Sequence, residues 1–268
     1  MGIDYLLDLD CAPRKQLGTS GLLDAAKLCE YAREIEALEA HGSVSAAEPL
    51  KVVRMGADFT LDEETLTVSQ LRSRAAAFDG HRARCNGCPA NVCQRLHGLL
   101  RPFGCHGSIR YPLSHELEFL LQVTARFVTT RLLDQPPGQL VRFVVDSGIT
   151  GDQVRSLREH ARAGQPAVLV REAALPCPFV DADGGETTID TDQLLEVILF
   201  GGKIEPQVVT YLLSPFFQVM ESVASIVSQE SDLRRREHLT DPGLVQLREF
   251  GRAVVLAGEL GVPVLIDR

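Results

Sequence analysis

No run of about 18 uncharged apolar residues occurs in this 268-residue chain, so no segment has the length and apolarity of a membrane-spanning helix. The most apolar stretch, Ala253 to Ile266, is broken by Gly258, Glu259, Gly261 and Pro263. Met1-Gly2-Ile3-Asp4 lacks the basic region of a signal peptide, and Leu6 stands where a myristoylation signal has Ser or Thr. The expectation is a soluble, cytoplasmic protein without a membrane partner. A basic excess is missing too: the net charge is −9, which disfavours a protein that coats a duplex. Neither a P-loop nor a G-x-G-x-x-G occurs. Between Gly80 and Pro112 there is no Asp or Glu, so that stretch offers no carboxylate as general base.

What is present is ordinary globular material, 45% apolar and 24% charged, with one concentrated exception. Four of the seven cysteines fall in the pattern C-x2-C-x4-C-x11-C at Cys85, Cys88, Cys93 and Cys105. In a reducing compartment such spacing points to a metal before disulfides. A C-x-x-C turn lets two thiolates converge on one ion, and Cys93 and Cys105 would close a tetrahedron. The segment is punctuated by Gly87, Pro89, Gly98, Pro102, Gly104 and Gly107 and offers few core residues. Ordering it costs about 1–2 kcal/mol per residue of backbone entropy. A structural zinc supplies on the order of 10–16 kcal/mol in small peptides, enough to offset much of that.

Zn2+ is the first expectation and a [4Fe-4S] cluster the alternative, although the spacing matches no ferredoxin pattern. His97, four residues after Cys93, would share a helical face with it and so could replace one thiolate. A redox C-x-x-C pair is the metal-free reading. Deaminase and zinc-protease chemistry is poorly supported. No H-x-E accompanies the cysteines, and Phe119 stands where a second histidine would follow His115-Glu116.

Charge gathers at the same place. Residues 71–110 hold seven arginines and one acid, so the window is +6 and the rest of the chain −15. Guanidinium groups beside thiolates would favour the ionised sulfur and balance the site. The window could instead bind single-stranded nucleic acid, but Phe103 is the only aromatic between the cysteines, too few for base stacking.

The expected fold class is α+β: a mixed N-terminal portion (1–134) carrying a metal knuckle at 85–107, then a helix-rich α/β portion (139–268). Asp134-Gln-Pro-Pro-Gly138 reads as the boundary. Strands are predicted at 2–10, within 51–66 as a pair, at 140–145, 167–171 and 262–266, with a hairpin turning at Gly184-Gly185. Helices are predicted at 21–38, 68–78, from Ser114 to about 133, from Thr150, and from Thr191, Pro206, Ser214 and Pro242. Phe216, Met220, Val223 and Val227 form a core stripe. The loop Asp146 to Gly151 could hold phosphate if it joins a strand to a helix, although an ordinary turn is favoured. Asp181-Ala-Asp183 reads as a hairpin turn and not as a calcium loop. No complete catalytic set is found. The functional expectation is a non-enzymatic accessory or adaptor protein in which a metal fixes a loop surface for a partner protein. An iron–sulfur redox protein is the alternative.

Overall fold

The computed structural model describes residues 2–55, 61–92, 101–163, 176–180, 184–199, 202–230 and 242–267. In chain order the elements are β1 (Gly2–Leu7), α1 (Ala12–Ala40), β2 (Pro49–Met55), β3 (Leu61–Thr67), α2 (Val68–Ala76), α3 (Asp79–Cys85) and β4 (His106–Arg110). Next come α4 (His115–Arg131), α5 (Gly138–Asp146), α6 (Asp152–Ala163), β5 (Pro176–Val180), β6 (Glu186–Asp190), α7 (Thr191–Ile198) and β7 (Gly202–Ile204). A one-turn α8 (Pro206–Val208) runs through a π-helical turn (Val209–Leu213) into α9 (Ser214–Glu230), followed by α10 (Pro242–Leu260) and β8 (Val264–Asp267). The chain is therefore α+β with small sheets, ordered β4-β1-β8-β7, β2-β3 and β5-β6.

Two compact units divide the chain, one made of residues 1–7 and 107–267, the other of residues 8–106. This differs from the division at 134–138, because the Pro-Pro-Gly stretch is a tight turn between α4 and α5. The amide of Gln135 donates to Leu132 O (2.9 Å) and that of Gly138 to Gln135 O (2.8 Å). A side chain at Gly138 would run into the carbonyl of Leu133, so only glycine fits so close a return.

In the larger unit β1 pairs antiparallel with β8, Tyr5 facing Ile266, and β7 continues the sheet on β8. The buried Tyr5 ring meets Phe250 edge-on at 5.0 Å, and Phe250 meets Phe217 at 5.5 Å. The expected stripe on α9 holds for Phe216, Met220 and Val223, all buried; Val227 has no described side-chain environment.

The α/β expectation for the C-terminal portion is corrected at one element. Residues 140–145 are helical, within α5, with Leu140, Val141 and Val144 buried on one side. The following turn therefore joins two helices. Residues 167–171 lie outside the described residues, and β5–β6 forms the expected antiparallel hairpin. The assigned class is thus α+β with antiparallel pairing.

The larger unit also buries a charge cluster. Arg158 of α6 donates to Glu118 of α4 (2.6 Å) and to Asp192 of α7; the three are 4%, 0% and 1% exposed. Thr191 Oγ1 donates to Glu118 at 3.5 Å, and Arg155 reaches Asp192 at 3.8 Å from the rim. The charges answer one another across three helices.

In the smaller unit, Gly18 has φ +72° and breaks the helical path of α1, so the predicted helix from Gly21 is the straight part of a longer element. Leu22, Ala25, Ala26, Cys29, Ala32 and Ile35 form its buried face. α2 begins in a capping box in which Thr67 and Gln70 satisfy each other's backbone amides.

Candidate metal centre

α3 is short because its core is small: Cys85 at its last position is its only buried residue. The chain then turns tightly, Cys88 N donating to Cys85 O (3.1 Å) and Asn91 N to Cys88 O (3.0 Å). The Asn91 side-chain amide donates back to Cys85 O at 3.1 Å. Val92 N donates to Gly104 O (2.8 Å), which brings the second half of the segment against the first. Gly104 is packed so closely on the Asn91 side chain that a Cβ there would overlap it. One asparagine and one glycine thus hold the C-x-x-C turn beside Cys105.

Cys85 (3% exposed) and Cys105 (4%) are buried, Cys88 is half-buried, and each is a free thiol. Burial pushes the Cys85 thiol up to about 12, with Cys88 and Cys11 adding to it. Burial also drives Cys105 well above the ordinary thiol range; Cys85, Cys88 and Cys11 push it further and its own backbone amide pulls slightly back. Burial raises the Cys88 thiol, the Ala90 backbone pulls it back, and the nearby Cys11 thiol adds to the rise.

Of the four predicted ligands, Cys85, Cys88 and Cys105 lie in one neighbourhood, near enough to affect one another's ionisation. Cys93 and His97 lie outside the described residues. Cys11, just ahead of α1, joins the group although its distance along the chain hid it. Among the described residues no three Cys, His, Asp or Glu side chains stand at the spacing of a formed metal site. The sulfurs share a neighbourhood; the arrangement is not the closed knuckle that the spacing suggests. His106, next to Cys105 in the chain, is buried.

The arginines do something other than balance sulfur. Arg82 pairs with Asp79 (2.9 Å), Arg74 with Glu64 (2.7 Å) and Arg72 with Glu36 and Glu39. Arg84 donates to Gln16 (3.0 Å), and Arg101 stands 3.7 Å from Glu30, which also holds Arg33 at 2.5 Å. A surface hollow lined by Arg33, Arg82 and Arg101 is thus already supplied with carboxylates. Acids from α1 and β3 thus pair Arg72, Arg74 and Arg101 of the window, and Arg95 lies outside the described residues.

The 146–151 turn offers little to phosphate. At the start of α6 the Gln153 amide already donates to Glu196 (3.1 Å), a carboxylate where an anion would sit.

No family model, no curated protein and no solved structure matches the chain. The site is therefore read from its own chemistry, which among the described residues is a set of thiols that burial keeps protonated.

Proposed function

We propose that the protein is a metal-binding accessory or adaptor protein without catalysis of its own, its thiols holding one structural Zn2+ and fixing a loop surface for a partner protein. The observation that carries this reading is the gathering of Cys85, Cys88 and Cys105 in a glycine- and proline-broken segment. Buried thiols that neither pair as disulfides nor contact a base have no role in acid–base chemistry. A divalent cation among them would strip their protons and turn their mutual repulsion into cohesion. The sequence-derived ligand set is Cys85, Cys88, Cys93 and Cys105.

Elemental analysis and an absorption spectrum on protein purified without oxygen test this directly. Colourless protein with one zinc per chain supports it. Brown protein whose absorption bleaches on reduction transfers the same thiols to a [4Fe-4S] cluster, a reading favoured by the all-sulfur character of the group. Metal-free protein, or a Cys85→Ser/Cys88→Ser double variant that keeps its metal and its partner binding, overturns the proposal. Nucleic-acid binding has less support because Arg72, Arg74, Arg82 and Arg101 are paired with carboxylates; salt-independent retention of a single-stranded oligonucleotide, or none, would dismiss it.

A further inference from the structure

We infer that the hollow lined by Arg33, Arg82 and Arg101 in the smaller unit binds the phosphate group of a small organic phosphate. The inference goes beyond the metal-binding reading and does not rest on it, since none of the residues involved is a cysteine.

The hollow has a volume of about 550 Å³, the size of a small-molecule site, with room for an organic group beside a phosphate. Its walls come from separate parts of the unit. α1 packs on α3, which brings Arg33 of α1 and Arg82 of α3 to the same hollow. Asn86, directly after α3, joins them, with Arg101 and Pro102 from further along the chain. Three guanidiniums and one carboxylate, Asp79, line it, so the hollow is basic in a chain whose net charge is −9.

The carboxylates at the hollow hold the arginines without filling the space. Glu30 does not line it; through one oxygen, Oε1, it reaches Arg33 (2.5 Å) and Arg101 (3.7 Å) and ties two guanidiniums to one point. The Arg101 side chain is only 10% exposed, so the fold has already placed its charge and little order is lost on binding. Arg82 pairs with Asp79 at 2.9 Å, but these side chains are 43% and 64% exposed. An open i,i+3 pair of this kind is weak enough for a dianion to replace.

The donor set selects phosphate. A guanidinium fork accepts either a carboxylate or a phosphate, but three forks and the Asn86 amide offer more donors than two carboxylate oxygens can use. A phosphate monoester presents three terminal oxygens and up to two charges. Ala83 and Pro102 add apolar surface for the organic group. Among the described residues no aromatic side chain lines the hollow, so it has no platform for a stacked base and does not suit a nucleic-acid strand.

Calorimetric titration of the full chain, as purified, with phenyl phosphate tests this, with inorganic phosphate, benzoate and a single-stranded oligonucleotide as comparisons. Expected is a single site for phenyl phosphate, with inorganic phosphate competing for it and benzoate weaker. Arg33→Gln and Arg82→Gln should each weaken phenyl phosphate roughly tenfold. Arg131→Gln, in the larger unit, should leave it unchanged. Asp79→Asn should tighten binding, because the rival carboxylate is gone. Damage to the fold would do the reverse, so this variant decides if an arginine variant does not fold. No binding of phenyl phosphate at millimolar concentration, unchanged affinity in both arginine variants, or weakening in Asp79→Asn overturns the inference. Benzoate of equal affinity overturns it by making the hollow a general anion trap. An oligonucleotide that binds more tightly, with a steep salt dependence, overturns it in favour of a nucleic-acid face. None of these outcomes bears on the metal content, which elemental analysis reads separately.

Discussion

At the scale of single residues, the most consequential side chain outside the thiol group is Arg158. It is almost wholly buried and answers two carboxylates, Glu118 and Asp192. Such a cluster is a weak source of stability while intact, because desolvating three charges consumes most of their attraction. It is a strong liability once broken. Arg158→Ala leaves two buried carboxylates facing each other and is expected to cost about 3–5 kcal/mol in urea unfolding. Replacing all three with apolar residues of similar volume should cost far less. A loss below about 1 kcal/mol in Arg158→Ala would mean that the cluster is wetter than its burial implies. Gly104 makes a second case. Gly104→Ala must displace the Asn91 amide, at a cost of roughly 1–3 kcal/mol by the measure of overpacked cores. Because Asn91 also holds Cys85 O, the substitution should lower metal occupancy by elemental analysis more than an exposed Gly80→Ala does.

The elements show where residue patterns suffice and where they fail. Glu221 on α9 accepts from Arg248 (2.9 Å) and Arg252 on α10 and joins two helices of the larger unit. Burial pushes its carboxyl up, but the two arginine hydrogen bonds outweigh this and hold it below the ordinary carboxylate value. A group depressed in the folded state stabilises above its unfolded pKa, near 4.3 for glutamate, and loses that contribution as pH falls through the folded value. Glu221→Gln should therefore melt below wild type at pH 7, and the gap should close under acid. A gap that is constant with pH would place the effect in packing and not in charge. The helices α4, α7, α9 and α10 were legible because each has a proline or capping residue at its start and a long apolar period behind it. α5 was not. Its run Leu140-Val-Arg-Phe-Val-Val145 is short, apolar and rich in β-branched side chains, which suits a strand as well as a helix. The buried set 140, 141 and 144 has helical spacing, but the apolar Phe143 and Val145 beside it hid it until packing chose the face.

For the whole molecule, legibility fails for a different reason. A unit inserted between β1 and β4 has its two ends at distant points of the chain, and no local change of composition marks them. The Pro-Pro-Gly turn gave a louder signal and lies inside the other unit. Spacing along the chain associated Cys85, Cys88 and Cys105, whereas Cys11 is brought near them only by the fold. If an ion held by thiols of the 85–105 segment orders the inserted unit, its removal should be felt locally. Amide exchange followed by mass spectrometry on the full chain, with and without chelator, measures this. The end of α3 and the turn from Cys85 to Asn91 should exchange faster once the metal is gone. The amides that β1 and β8 share should keep their protection, because that pairing belongs to a core with its own aromatic packing. Equal loosening of both units would show that the metal supports the entire fold, and no change in either would show that the thiols are held together by packing alone.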